Sequence, residues 1–453
     1  MTTAAHPLAS ILPADAIAEP EAHHLTDLTG RTAFGRADAV VYPATTEEVA
    51  RVMAWCYEHD IPITPRGGGT GLAGGAIPLD GGVILSLDRL RRVRQFDPLL
   101  WRIHVEAGVT TGEVHRLARE HGLRFPPDPG AAEQSQIGGN IACNAGGPHA
   151  FKYGVTGRWV TGLEAVVPPG EVITIGGPIR KDVASYDLRS LLIGSEGTLG
   201  IVTAAWLRLV PAPELELPVA AFYAGVGEAV AAIERVLATG VVPAAIEYFD
   251  GTTLRFAGGS FPGGVPAEAG FMVIVEADGA AEEARRAQRE LLEALREEAL
   301  SLHAPERPGE VAEVWRWRGG IAFALLAQKG GAIGEDVAVP LDRLAEIAEE
   351  TLAIGARHDL VALSFGHAGD GNIHSNFLFS PDDPAELERV EAACEEIYEL
   401  AVRLRGSVSG EHGVGCLKRG ALERQLDPVT LELHRGVKRL FDPKGLLNPG
   451  KKV

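Results

Sequence analysis

Residues 364–377, SFGHAGDGNIHSNF, place two imidazoles about a Gly-Asp-Gly turn, His367 before it and His374 after it. The run leaving the turn, IHSNFLF, alternates as a strand does, so His374 and Asn376 should share one face. A further donor stands in SGEHGVG, where Glu411 and His412 lie in another glycine-flanked turn. Two histidines and a carboxylate with one position left free form the pattern of a catalytic divalent site rather than a structural one. A single histidine beside a core strand is ordinarily a hydrogen-bonded core residue. A pair flanking a tight turn, joined by a second turn with a carboxylate, favours ligation instead.

Three glycine-rich stretches point to a second kind of chemistry. In PRGGGTGLAGG, residues 65–75, Gly69, Gly71 and Gly74 satisfy the GxGxxG spacing of dinucleotide folds. That motif must open a helix, and the Pro78 and Gly81 that follow forbid one. No Lys-Ser/Thr pair follows the glycines, so a Walker loop is excluded too. What remains is a nest of backbone N–H groups able to converge on a phosphate, and so dense a glycine run is costly to order without a ligand. The second stretch, residues 125–147, has prolines that predict an extended path. Its Gly138-Gly139 and Gly146-Gly147 pairs admit main chain to a flat ligand, and Asn140 and Asn144 offer amides. The third is LLIGSEGTLGIVT, residues 191–203. Together they suggest a large, extended ligand wrapped by main chain.

The elements that must hold these loops follow from pattern. Short strands are expected around Val40, Ile63, Ile84 and Val105, with helices opened by Thr45–Glu48 and Thr110–Glu113 capping pairs. The pattern changes at Pro211-Ala212-Pro213. Beyond it, LPVAAFY, AIEYF and FMVIVEA read as strands between helices near 230–237 and 281–299, an α+β sheet-and-helix domain. Helices near 341–357 and 384–405 bracket the histidine turn. We expect an N-terminal segment at 1–35, a first domain at 36–213 and a second at 214–453.

Composition sets the outer limits. The 453 residues are 46% hydrophobic and 23% charged, which suits a globular chain of two or three domains. A net charge of −19 argues against nucleic acid and against docking on anionic lipid. The four cysteines have no CxxC spacing, so free thiols in a reducing, cytoplasmic compartment are expected. No apolar run approaches the ~18 residues of a membrane span, and residues 1–33 have no signal-peptide core.

Taken together, PRGGGTGL, PPDPG, QIGGNIACNAGG, KYGVTG, GSEGTLGIVT, HAGDGNIH, SGEHGVG and LFDPKGLLNPGK, in this order, resemble the flavin-dependent 2-hydroxy acid dehydrogenases of the vanillyl-alcohol-oxidase, or PCMH-type, superfamily. Within it the match is to the group of D-lactate dehydrogenase, glycolate oxidase flavoprotein subunit and D-2-hydroxyglutarate dehydrogenase. It runs from about residue 36 to the C-terminus. The resemblance implies a bipartite α+β PCMH-type FAD-binding domain followed by an α+β cap domain with an antiparallel sheet and flanking helices. The last segment, about 406–453, would return to the flavin. It places the pyrophosphate on Arg66, Gly67, Gly68, Gly69, Thr70, Gly71 and Leu72. The rest of the FAD would be lined by Asp128, Gly138, Gly139, Asn140, Asn144, Tyr153, Glu196, Gly197 and Ile201, with Asn448 at the flavin edge. Relatives with covalent FAD often carry a histidine in the first loop, where this chain has Thr70-Gly71, so non-covalent FAD is expected.

The resemblance also puts a divalent metal on His367, His374 and Glu411, zinc first, with manganese or iron as alternatives. Asn376 would assist the substrate and His412 would be the base. The chemistry is coherent. Hydride loss from Cα to flavin N5 needs the hydroxyl proton removed, and a metal lowers such a pKa greatly, as for water from 15.7 to about 7. Arg318 is expected to clamp the substrate carboxylate, with Arg316 its rival. Hydroxyglutarate enzymes use one more basic residue where this chain has Gly334, with Lys329 nearby as a substitute; this leans toward D-lactate or glycolate. The partners implied are the hydroxy acid and an electron acceptor: a quinone, a cytochrome, an electron-transfer flavoprotein or a partner subunit. A homodimer or a multi-subunit complex would fit. The rivals are a D-2-hydroxyglutarate dehydrogenase, a transferase like alkyl-glycerone-phosphate synthase, a non-catalytic flavoprotein subunit and a metal hydrolase.

Overall fold

The computed structural model describes residues 7–31 and 35–453. The expected N-terminal segment therefore falls partly outside the described residues, at 1–6 and 32–34. The chain divides into two compact units, one of residues 1–146, 155–211 and 411–453, the other of 147–154 and 212–410.

The first unit carries two sheets. The smaller runs in the order Ile17–Ala18, Ala39–Val41, Val83–Ser86, Ile63–Arg66, with its last three strands parallel. The larger is antiparallel, in the order Val93–Asp97, Arg102–Glu106, Ile201–Arg208, Val160–Val167, Glu171–Gly176. Helix Thr46–Glu58 begins where the capping pair predicts: the Thr45 hydroxyl accepts from the Glu48 amide at 3.2 Å. Its apolar stripe, Val49, Val52, Met53 and Cys56, joins the core with Leu85, Ile201 and Leu447. The C-terminal residues are stitched into this unit. Leu447 bridges Ile63, and the Lys438 ammonium donates to the carbonyls of Thr198 and Leu447 at 2.8 and 2.7 Å.

The second unit is built on a seven-stranded sheet, in the order Ser301–His303, Leu215–Tyr223, Phe271–Gly279, Ala245–Asp250, Val361–His367, Asn372–Phe379, Gly331–Ala338. Every pairing is antiparallel. Phe222, Phe249, Met272, Leu363, Phe365 and Leu378 pack on one face against helix Pro308–Lys329 through Val314, Trp317, Ile321 and Leu325. Helices Ala281–Arg296, Leu344–Arg357 and Pro384–Arg403 pack on strands of the same sheet. Because side chains alternate along a strand, the residues two beyond the apolar ones emerge on the same face as that core. Those residues are Glu247, His367, His374 and Asn376.

One element differs from expectation. Ile137–Cys143 is a short helix, not an extended path. Its two glycines disfavour helix, but Ile137 and Ile141 are fully buried, and that packing overrides the propensity.

Candidate functional site

The glycine run 67–75 leaves strand Ile63–Arg66 as an irregular loop with no helix after it, so the dinucleotide-fold reading is excluded. Arg66 is buried, and its guanidinium donates to the carbonyls of His23 at 2.6 Å and Thr26 at 2.8 Å. That side chain is spent on the N-terminal segment, so the loop offers an anion its backbone. The turn at Gly69 has φ +69°, and a Cβ there would lie 2.1 Å from Arg66 Nη2, which only glycine avoids. Gly67 lies against the start of helix Ile137–Cys143: a Cβ on it would be 3.6 Å from Gly139 Cα. A Cβ on Gly139 would meet nothing within 4 Å. Thr70 and Gly71 are half-buried and Leu72 is exposed.

The remaining residues of this half fall into two groups. Asn140 donates to Thr111 Oγ1 at 2.5 Å, and Asn144, left-handed at φ 56°, accepts from the Gly157 amide at 2.8 Å. Each of these amides makes one bond within its own unit. The Glu196 carboxylate is likewise committed to the amides of Val414 and Gly415 at 2.9 and 2.6 Å, so it anchors the C-terminal segment. Gly138 is buried against Ala107, Gly197 packs on Pro65, and Ile201 opens its strand. Asp128 is half-buried in the proline turn. Asn448 donates to the carbonyls of Glu196 and Gly75 at 2.7 and 3.1 Å, while its buried Oδ1 has no partner. Gln136 Oε1 is also buried and unpartnered. Open space at Gly139 and two orphaned acceptors near the glycine loop are features a bound FAD would satisfy.

Segment 147–154 clusters with the second unit, where the Tyr153 hydroxyl and Lys152 bond Asp278 and His149 Nε2 donates to Glu276 at 2.9 Å. The other Glu276 oxygen accepts from Trp315 at 2.6 Å, so this His–Glu cluster is a clamp with both carboxylate oxygens taken.

In the second unit, His367 ends its strand, and a single 3-10 turn with left-handed Gly371 leads into Asn372–Phe379. The rings of His367 and His374 meet edge to face with centroids 5.3 Å apart, both nearly buried. The neighbouring strand supplies Glu247, in register with His367 and fully buried. Its Oε1 accepts from His367 Nδ1 at 2.5 Å and its Oε2 from Arg318 Nε at 2.7 Å. Burial alone would raise this carboxyl, but the charges of His367 and Arg318 hold it well below the usual carboxylate range. Arg318 lies over the Phe365 ring on the sheet side of its helix, whereas Arg316 is exposed. Asn376 shares His374's face and donates to the His374 carbonyl at 2.8 Å. A Cβ at Gly334 would lie 2.4 Å from Asn376 Oδ1, so this glycine makes room for the amide. Lys329 is paired with Glu386 instead of reaching the site.

Asp336 faces His374 in the adjacent strand, and its oxygens accept from Asn372 at 2.5 Å, Ser409 at 3.0 Å and the Gly410 amide at 2.8 Å. Neither Glu247 nor Asp336 was singled out by the sequence. The available signal was a carboxylate inside an otherwise apolar strand, AIEYF and EDVAVP.

Asp250 ties two of these strands together, capping helix Gly251–Ala257 through Thr253 at 2.7 Å and accepting from the Ser364 amide at 2.8 Å. Burial pushes its carboxyl up from 3.8 to about 6. Between those values the unfolded chain loses its proton while the folded one keeps it, so stability falls as pH rises. Relative to Asp250→Asn, the wild type is expected to lose roughly 1–3 kcal/mol of its advantage between about pH 3.5 and 6.5 in urea titrations. An advantage that grew over that range would contradict this.

Comparison with known proteins shows the family. Residues 212–452 match the family described as FAD linked oxidases, C-terminal domain, and residues 37–176 match an FAD binding domain. The chain belongs to the FAD linked oxidases and is an FAD-dependent oxidoreductase. It is 38% identical over 416 residues to glycolate oxidase subunit GlcD of Bacillus subtilis, covering 91% of this chain and 88% of that one. It is 34% identical to a D-lactate dehydrogenase of Anaerostipes hadrus, covering 97% and 94%. Its fold is that of 4-ethylphenol oxidase from Gulosibacter chungangensis, with a TM-score of 0.81 at 19% identity over 98% and 95% of the two chains. This is the two-domain PCMH-type architecture. No helix among the described residues is long and apolar enough to cross a membrane.

Proposed function

We propose that this enzyme oxidises a small D-2-hydroxy acid, D-lactate or glycolate, to the 2-oxo acid. The observation that carries the proposal is the Glu247-centred constellation: an imidazole pair on one sheet face beside an arginine aimed by the same carboxylate. Bound FAD would supply the hydride acceptor, and a divalent ion, zinc or else manganese or iron, would acidify the substrate hydroxyl. His367 and His374 would hold that ion, with Glu411 as the third donor. In support, the Gly410 amide is fixed to Asp336, the register partner of His374, and Glu411 is the next residue along the chain. His412 would accept the hydroxyl proton as general base. Arg318 would grip the carboxylate and Asn376 would steady the substrate, so that Cα–H is presented in one orientation.

Two features favour a monocarboxylate over hydroxyglutarate. Gly334 has no side chain and its space belongs to Asn376, and Lys329 is engaged by Glu386. The four cysteines form no disulfide, in keeping with a reducing, cytoplasmic setting, and the relative named a subunit supports a partner that takes the electrons. Anaerobic mixing with D-lactate, glycolate and D-2-hydroxyglutarate tests the proposal. One of the first two should bleach the flavin fastest, and no bleaching by any hydroxy acid would reject it. Arg318→Met is expected to raise KM for that acid by about 10²-fold, the value of a charge-assisted carboxylate contact of ~2–3 kcal/mol. An unchanged KM would remove Arg318 from the site.

A further inference from the structure

We propose that Glu247 is a positioning residue that serves both halves of the substrate site, one oxygen aiming the metal ligand His367 and the other the guanidinium of Arg318. This rests on the function proposed above and deepens it by naming the group that links ion binding to carboxylate binding. Glu247 is fully buried, and each of its oxygens holds one partner, at 2.5 and 2.7 Å. Both oxygens are thus already engaged within the protein.

A carboxylate only accepts, so the proton of His367 sits on Nδ1 and Nε2 carries the lone pair that would face an ion. Carboxylate–histidine pairs of this kind fix the ring's tautomer and direction and raise its basicity. On the other side, Glu247 takes Arg318 by Nε. The two terminal amino groups lie outside this pair and form the flat edge that binds a carboxylate in bidentate fashion. The Phe365 ring beneath the guanidinium, 5.3 Å from its carbon to the ring centroid, confines it further. Geometry fixes the arrangement at the level of the sheet. Glu247 and His367 are register partners on adjacent strands, and Arg318 enters from helix Pro308–Lys329, which packs on this face.

The alternative is a buried ion network that merely fills the sheet. Such a filler would cost stability when altered and leave ligand affinities of the folded protein unchanged.

The test uses the full-length, FAD-loaded protein as wild type, Glu247→Gln, Glu247→Asp and Arg318→Met. Zn2+ is titrated against a chromophoric chelator, and oxalate, a carboxylate that cannot be oxidised as an alcohol, is titrated by its flavin difference spectrum. In Glu247→Gln the amide oxygen serves one donor while its NH2 faces the other. Zn2+ and oxalate are both expected to bind about 10- to 100-fold more weakly, with FAD content retained. Glu247→Asp keeps the charge but falls a methylene short, so it shifts both affinities in the same direction by less, and it carries the test if the Gln variant does not fold. Arg318→Met is expected to lose oxalate while keeping Zn2+ within about threefold. Folded Glu247 variants with wild-type affinity for Zn2+ and oxalate would overturn the proposal alone. A wild type that takes up no stoichiometric Zn2+, Mn2+ or Fe2+ would overturn it together with the metal-assisted function.

Discussion

His374→Ala is expected to purify yellow and yet be reduced by D-lactate or glycolate at least ~10³-fold more slowly than wild type. The colour should survive because the glycine-rich loops expected to cradle FAD, Gly147 and Tyr153 apart, are in the other unit and share no residue with the strand that carries His374. The rate should collapse because an alcohol without a cation beside it is too weak an acid for an imidazole to deprotonate at neutral pH. Acidification of the size seen for metal-bound water, from 15.7 to about 7, together with base catalysis worth 10²–10⁴, sets that scale. Stopped-flow reduction under anaerobic conditions reads the rate directly, and a His374→Ala enzyme reduced as fast as wild type would remove this residue from the chemistry.

Gly139→Ala is expected to separate folding from cofactor binding. The added methyl meets no protein atom within 4 Å, and alanine is the better helix former by ~0.5–1 kcal/mol, so the apoprotein should melt no lower than wild type. If FAD approaches this helix start as the glycine loops suggest, the methyl occupies ligand space and weakens FAD by about 10- to 100-fold, the cost of ~1–3 kcal/mol of overpacking. Gly68→Ala is the contrast. Its Cβ would lie 2.1 Å from the Gln134 carbonyl oxygen, so the backbone must shift and apoprotein stability and FAD retention should fall together. A Gly139→Ala protein that keeps FAD with wild-type affinity would place the cofactor elsewhere.

Much of the site was legible because its signals are local. The Gly-Asp-Gly turn between two histidines and the alternation after it put His374 and Asn376 on one face before any tertiary information entered. The absence of a helix after the glycine run followed from Pro78 and Gly81 alone. Glu247 was hidden for a physical reason. A carboxylate in a buried strand is explained only by partners 120 and 71 residues away in sequence, and pattern does not reveal that register. Helix Ile137–Cys143 was hidden because packing of Ile137 and Ile141 outweighs two glycines. Segment 147–154 carries no pattern that reveals its partners, which are Glu276 and Asp278, more than 120 residues on. Choosing Arg318 over Arg316 needed the helix's orientation on the sheet, since both stand in the same WRWR run.

Most directly, the account turns on whether an ion and a flavin act on one alcohol. The decisive measurement is the anaerobic bleaching rate with the best hydroxy acid, taken before chelation, after it, and after return of a divalent ion, with FAD content followed throughout. The account predicts that bleaching stops with the metal removed, that the flavin stays bound, and that the rate returns with the ion. Bleaching that proceeds undiminished in metal-free, flavin-replete protein would contradict it.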